Sequence, residues 1–304
     1  MFLKSNKTIK CLKKILTIIL SLFITTVANA DVASQALNKV SEKISEYTIG
    51  LIPGEGITEL SLKYKDSDDD QLNFSILGVR DILRTDDSNL FTQFSFKNKE
   101  VNSDGRVHGN LGFGYRKLND DQSIMLGANT FLDGDLNKGH KRLGLGLEAK
   151  GSMLDLSLNN YQKITNMKTI DGTDEQILSG WDYNLTTQIP YTPWAKFNFQ
   201  GYKWENEKTS QDTKGNQYSS ELNINSSLQL NLSLDDSALT GVEDVYKAEL
   251  VFIHPPRENV KTMKDGFSDI AFEKENMEVK LAEKVRRNND LAIEIQGQVI
   301  VTSK

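Results

Sequence analysis

The chain's three imidazoles, His108, His140 and His254, are the side chains best suited to proton transfer near neutral pH. None has a serine or aspartate partner at a recognised spacing, and neither G-x-S-x-G nor H-E-x-x-H occurs. A catalytic triad is defined by geometry rather than by spacing. A hydrolase site at the rim of a larger fold therefore stays open as a minor reading, beside the plainer one of loop-edge histidines. The acidic run Asp66–Asp70 could offer oxygens to Ca²⁺. It matches no recognised ligand loop, and such a run is ordinarily a solvated turn. The single cysteine, Cys11, lies in a leader-like segment, so disulfides, thiol catalysis and Cys-ligated metals are excluded from the chain beyond that segment. Gly112, Gly114, Gly127, Gly144 and Gly146 are set at strand spacing, not at a strand-to-helix turn, so they make no phosphate loop. No catalytic residue, cofactor or metal ligand is assigned.

The elements that carry these residues have a period of two. In Asn110–Lys150, Leu111, Phe113 and Tyr115 fall on one face, with Gly112, Gly114 and Arg116 on the other. Leu126, Ala128, Thr130 and Leu132 alternate with Gly127, Asn129 and Asp133. Leu143, Leu145, Leu147 and Ala149 alternate with Gly144, Gly146, Glu148 and Lys150. Such alternation is a strand between an apolar and a wet phase. In a sandwich the apolar face meets a core. In a membrane barrel it meets lipid, and the glycines and charges line the lumen.

The same polarity recurs from Ile57 to His254 in roughly twelve segments, such as Leu154, Leu156 and Leu158 against Asp155, Ser157 and Asn159. Tyr64, Phe96, Tyr115, Phe131, Tyr161, Trp181, Trp194, Trp204 and Phe252 lie near strand ends, where an interfacial girdle would use them. Short gaps (Asn119–Asp121, Lys150–Ser152, Ser226–Ser227) alternate with longer ones (Asp66–Asp70, Asn98–Gly105, Asn166–Gln176, Asn206–Gly215). The apolar fraction of 38% suits a barrel with a wet interior.

Lys4, Lys7, Lys10, Lys13 and Lys14 precede a short apolar run that ends at Ala28-Asn29-Ala30. This is the pattern of a secretory signal peptide cleaved after Ala30. Cleavage removes five of the 36 basic residues and none of the 42 acidic ones, lowering the net charge from −6 to −11. Nucleic acid is not expected as a partner at that charge. Residues 31–56 open with a helical pattern (Ala33, Ala36, Leu37, Val40, Ile44, Tyr47) that Pro53-Gly54 ends. After Pro255-Pro256, Glu273–Asn288 is helical in pattern, with Met277, Leu281, Ala282 and Val285 on one side. Leu291, Ile293 and Ile295 then alternate.

Several runs resemble the translocator domain of the inverse autotransporters, the intimin/invasin family. They are LFTQ (Leu90–Gln93), NLGFGYR (Asn110–Arg116), MLGANTFLDGDL (Met125–Leu136), HKRLGLGLEA (His140–Ala149), LSLNNY (Leu156–Tyr161), GWD (Gly180–Asp182) and RNNDLAIE (Arg287–Glu294). The resemblance covers about Ile57 to Ile295 and thins after Asp182, where the later register is open. It implies a twelve-stranded outer-membrane barrel with a periplasmic N-terminus. A linker starting near the RNND run would pass through the pore and carry a passenger to the cell surface. The chain stops at Lys304, so a passenger is expected to be absent.

The expected fold is all-β: a roughly twelve-stranded antiparallel transmembrane β-barrel with a short N-terminal helix and a C-terminal helical linker in the pore. The expected division is signal peptide 1–30, periplasmic segment 31–56, barrel 57–254 and tail 255–304. Gly112, Gly114, Arg116, Gly127, Gly144, Gly146, Glu148, Asp155, Lys247 and Glu249 are expected to face the lumen, the small ones leaving room for the linker. Met277, Leu281, Val285, Arg287, Asn288, Asn289 and Asp290 are expected in the pore. Leu156→Arg should then block assembly, while Asp155→Arg is tolerated. Expected partners are outer-membrane lipid, the barrel-assembly machinery and periplasmic chaperones, with any host ligand unspecified. A porin-like channel is the alternative.

Overall fold

The computed structural model describes residues 54–65, 71–101, 104–209, 211–237, 244–295 and 298–300. The expected signal peptide with Ala28 and Ala30, the helix from Asp31 and the Asp66–Asp70 run lie outside them.

The strands are β1 (Gly56–Lys65), β2 (Gln71–Arg84), β3 (Ser88–Val101), β4 (Asp104–Leu118), β5 (Ile124–Asp135), β6 (Lys141–Gly151), β7 (Leu154–Lys163), β8 (Lys168–Ile170), β9 (Thr173–Ile177), β10 (Gly180–Ile189), β11 (Thr192–Trp204), β12 (Thr213–Asn223), β13 (Leu228–Ser237), β14 (Val245–His254), β15 (Ile293–Ile295) and β16 (Gln298–Ile300). Twelve of them, all but β8, β9, β15 and β16, close into one antiparallel barrel. Closure is the pairing of β1 with β14, where Leu60 meets Phe252 and Lys63 meets Glu249. No edge is left with unpaired backbone groups, which is what spanning lipid requires. No described helix is long and apolar enough to cross a membrane.

Period-two sequence becomes two-sided wall. On β6, Leu143, Leu145 and Leu147 point outward and exposed, while Arg142, Glu148 and Lys150 are buried inside. Leu111, Phe113 and Tyr115 are likewise outside on β4, and Arg116 is inside. Exposed Leu126, Leu132, Leu154 and Leu158 continue the outer apolar surface. Buried polar side chains fill the interior, the inverse of a globular core.

The end where β1 begins is called the near end, and the end where β1 finishes the far end. Near-end turns are tight. In Asn119–Ser123 the Asn119 Oδ1 accepts the backbone N–H of Ser123 and of Ile124, each at 2.9 Å. At the far end β8, β9, β15 and β16 form a separate four-stranded sheet in the order β16-β15-β9-β8.

Four expectations change. Glu273–Asn288 is not a helix but one turn, α1 (Met277–Lys280), with the rest irregular. Asn98–Gly105 is not a long loop, because Lys99 pairs with Arg106 and Val101 with Asp104. Val101 packs on Ile177, Leu291, Ile293 and Ile295, so both strands keep a partner beyond the rim. Asn166–Gln176 holds the hairpin β8–β9. Finally, Phe131, Tyr161 and Trp204 are no girdle residues. Their strand parity turns them inward, where they are buried.

Candidate functional site

After β14 the chain bonds to the near end. Arg257 donates to Asn223 Oδ1 at 3.0 Å and to Gln229 Oε1 at 3.2 Å. A one-turn 3-10 helix, Met263–Asp265, comes next. Trp194 Nε1 donates to Gly266 O at 2.9 Å, and the backbone N–H of Tyr191 donates to Ala271 O. Gln188 both donates to Glu273 O (2.7 Å) and accepts its N–H (3.0 Å). Met277 and Leu281 then pack against Leu118 and Met125, at the near ends of β4 and β5. From there the chain ascends through the lumen.

Six charges on this linker each meet an opposite charge on the wall. Lys280 reaches Asp155 at 2.5 Å, and Glu283 reaches Lys150 at 3.0 Å. Lys284 pairs with Glu59 at 2.7 Å, and Arg286 with Glu221 at 2.5 and 2.8 Å. Arg287 grips both oxygens of Asp133 at 2.8 and 2.7 Å, and Asp290 pairs with Lys97. The wall residues come from β7, β6, β1, β12, β5 and β3. Fixed ion pairs on so many strands define one depth and one rotation for the linker, a register role that buried ion pairs serve better than net stability.

The wall also satisfies the linker's backbone, and this removes the need for helix. Arg116 donates to Leu281 O (3.2 Å) and Glu283 O (2.5 Å), and Asn89 donates to Leu281 O (3.0 Å). Gln93 Oε1 accepts the Val285 N–H at 2.7 Å. Asn159 and Arg142 donate to the carbonyls of Arg286 and Asn288. The Asn288 N–H donates to Tyr161 Oη (2.8 Å) and to Asp182 (3.1 Å). Asn110 donates to Asn289 O at 3.2 Å. Buried peptide groups need partners, but these need not come from the same segment.

A layer of aromatic rings under guanidinium groups fixes the crowded wall. The Arg116 Cζ lies 4.3 Å from the Phe91 ring centre, Arg287 4.2 Å from Phe131, and Arg142 4.1 Å from Tyr161. These cation–π contacts are shielded from water, where they are strongest. The inward glycines make room for them. A Cβ on Gly112 would stand 2.3 Å from the Phe131 ring, and one on Gly114 2.3 Å from Phe91. Only Gly144 abuts the linker itself, 2.8 Å from Arg287 Nη2. Gly127 adjoins Arg116 and Glu148, and Gly146 lies between Asn129 and Asn159. The room expected for the linker is thus taken mostly by wall side chains. Gly112→Val should push Phe131 off Arg287 and destabilise the barrel by about 1–3 kcal/mol. The temperature at which the folded, fast-migrating gel band is lost should fall accordingly.

Of the other expected lumen charges, Glu148 pairs with Arg116 (2.9 Å) and Lys247 with Asp235 (3.2 Å). Glu249 accepts from Asn231 at 3.1 Å. Those three brace the wall, whereas Arg116 and Asp155 touch the linker. Sequence reasoning missed Glu59, Gln93, Arg142, Asp182 and Glu221 as linker contacts. Strand parity alone would have placed them inside.

Beyond the lumen, β15 pairs with β9, Ile293 opposite Ile177. Glu294 accepts the backbone N–H of Glu207 (3.0 Å) and of Lys208 (3.1 Å). Arg106 holds the hairpin through both oxygens of Glu175 at 2.7 and 2.6 Å. Asp174 on this hairpin is held below the usual carboxylate range, first by the Thr169 hydroxyl and then by Lys208. His108 and His140 are fully buried, and His254 is half-buried. Among the described residues no group of His, Cys, Asp and Glu could hold a metal ion.

Comparison with known proteins agrees with this geometry. A family model described as the inverse autotransporter beta-domain matches residues 20–289. A putative attaching and effacing protein homolog of Escherichia coli (strain K12) is 35% identical over 107 residues, 34% of this chain and 35% of that protein. The inverse autotransporter adhesin YeeJ of the same organism is 33% identical over 95 residues, 30% of this chain and 4% of that protein. The match thus spans 35% or less of either relative's length. Among solved structures, a membrane protein from work on the mechanism of in-meso crystallization superposes with a TM-score of 0.62 at 17% identity. That match covers 79% of this chain and 100% of that one, a likeness of fold. The chain is an outer-membrane β-barrel, and it belongs to the inverse autotransporter family through the β-domain that residues 20–289 match.

Proposed function

We propose that the barrel anchors this chain in the outer membrane and delivers its own C-terminal segment to the cell surface. The near end faces the periplasm in this reading, and the far end faces outside. The observation that carries it is the linker. Residues 277–290 run from the Leu118 and Met125 end, through ion pairs on six strands, to the strand pairing of Ile293 with Ile177. A segment meant to stay in the periplasm would need none of these contacts. Tight near-end turns and the far-end hairpin suit that orientation, since such barrels keep short turns inside and long loops outside. The Lys4–Ala30 pattern supports export through a signal peptide. The exposed leucine belt then takes outer-membrane lipid, with periplasmic chaperones and the barrel-assembly machinery as partners before insertion.

The porin-like reading has one observation in its favour, lumen space of about 290 Å³ beside the linker. An epitope fused after Lys304 separates the two. In intact cells antibody should reach it without permeabilisation. Staining only after the outer membrane is opened would return the tail to the periplasm and favour the channel.

A further inference from the structure

The hairpin β8–β9 has its own supports, independent of the tail. Its turn, Asp171-Gly172, has φ of 51° and 81°. Two-residue hairpin turns favour such left-handed geometry, and Asp-Gly adopts it readily. Thr169 Oγ1 donates to Asp174 Oδ1 across the strands at 2.8 Å. The hairpin is also tied to the barrel. Besides the Arg106–Glu175 pair, Lys168 Nζ donates to Lys138 O (2.8 Å) and Gly139 O (2.9 Å), and Lys208 lies 3.2 Å from Asp174. All of these residues precede the linker in sequence.

What the hairpin takes from the tail is different in kind. Ile177 is fully buried, in a cluster with Val101, Leu291, Ile293 and Ile295. Three of those four companions belong to the tail. The tail also supplies backbone partners: β15 pairs with β9 from Ile293–Ile177 to Ile295–Glu175, and the Leu178 N–H donates to Ala292 O at 2.9 Å. Without the tail, an apolar acceptor and an unpaired strand edge would stand side by side at the far end of the pore. That combination takes up an extended strand, with backbone bonds giving affinity and alternate side chains giving specificity. The sheet order β8-β9-β15-β16 also repeats the order of the chain. The tail strand nearest the pore, β15, lies against β9, and β16, beyond it, lies against β15.

We propose that β8–β9 is a preformed template that captures Leu291–Ile295 outside the pore, and that this capture makes passage of the tail one-way. The ligand it fits is an extended strand with branched apolar residues at alternate positions, here this chain's own Leu291, Ile293 and Ile295. An acid between the last two, Glu294, meets the N–H groups of Glu207 and Lys208. The inference rests on the display reading above.

The test times the arrival of an epitope fused after Lys304 at the surface of intact cells, following a pulse of synthesis of the full chain. In Ile177→Asp and in Ile293→Asp it should arrive several-fold more slowly and level off at a lower fraction, with the amount of folded barrel unchanged. Ile177→Val and Ile293→Val keep a branched apolar side chain and should restore most of the rate. Normal timing in both aspartate variants would overturn the proposal and leave the display reading intact. Slowing that only follows a loss of folded barrel would also count against it. An epitope that never reaches the surface in the unaltered chain would sink both readings together. If Ile177→Asp lacks a folded gel band, Ile293→Asp decides alone, since that residue lies past the last barrel strand.

Discussion

Asp133→Ala should destabilise the folded chain by about 3–5 kcal/mol, the cost of leaving buried charge without its counter-ion. Asp133 is fully buried and accepts from Arg287, from Arg142 (2.9 Å) and from Asn110 (2.7 Å). Its removal strands two guanidinium groups at once. One belongs to the wall and one to the linker, so the variant should also loosen the linker. Two readouts check this. The urea midpoint of the folded gel band should fall, and trypsin should gain access at Arg286 and Arg287. Asp133→Asn keeps the shape and an acceptor and should lose less. A midpoint unchanged in Asp133→Ala would show that the three donors find other acceptors.

Leu147→Arg should cost about 2–4 kcal/mol, the penalty for a guanidinium on the lipid face near midplane. Leu147 is 61% exposed and central on β6, and Leu156 on β7 lies lower on the same face. Assembled barrel in outer-membrane fractions should drop sharply. The matching inward change is not harmless either. From the sequence Asp155→Arg is expected to be tolerated, but Asp155 holds Lys280 at 2.5 Å. An arginine there sets two buried cations against each other. Its effect should fall on the linker and spare insertion. Leu147→Arg should reduce the amount of barrel, while Asp155→Arg should leave the amount and raise proteolysis of the tail. Equal loss of barrel in both would contradict the face assignment.

The strands are legible because a two-phase wall writes itself into the sequence. Leu143, Leu145 and Leu147 cannot alternate with Gly144, Gly146 and Glu148 for any other simple reason. The same rule decides Phe131, Tyr161 and Trp204 against their residue type. Aromatic character points to an interface, yet parity puts all three inside beneath arginines. The linker is legible in its charges and not in its conformation. Lys280, Glu283, Lys284, Arg286 and Arg287 sit at helical spacing, but spacing carries no information about outside hydrogen-bond partners. Arg116, Asn89 and Gln93 supply those, and the helix reduces to Met277–Lys280. The pairing of β15 with β9 joins segments more than a hundred residues apart, beyond any local pattern.

In the proposed orientation the chain presents the segment near Phe267 to the periplasm and the β8–β9 hairpin near Asp171 to the outside. Phe267 is 80% exposed at the near end, and the Asp171 side chain is 87% exposed at the far end. Cys11 is the only native thiol, so Phe267→Cys and Asp171→Cys can each be read alone in a Cys11→Ser background. Intact cells treated with a membrane-impermeant maleimide should label Asp171→Cys, and should label Phe267→Cys only after the outer membrane is permeabilised. Labelling of both in intact cells, or of Phe267→Cys alone, would contradict the account.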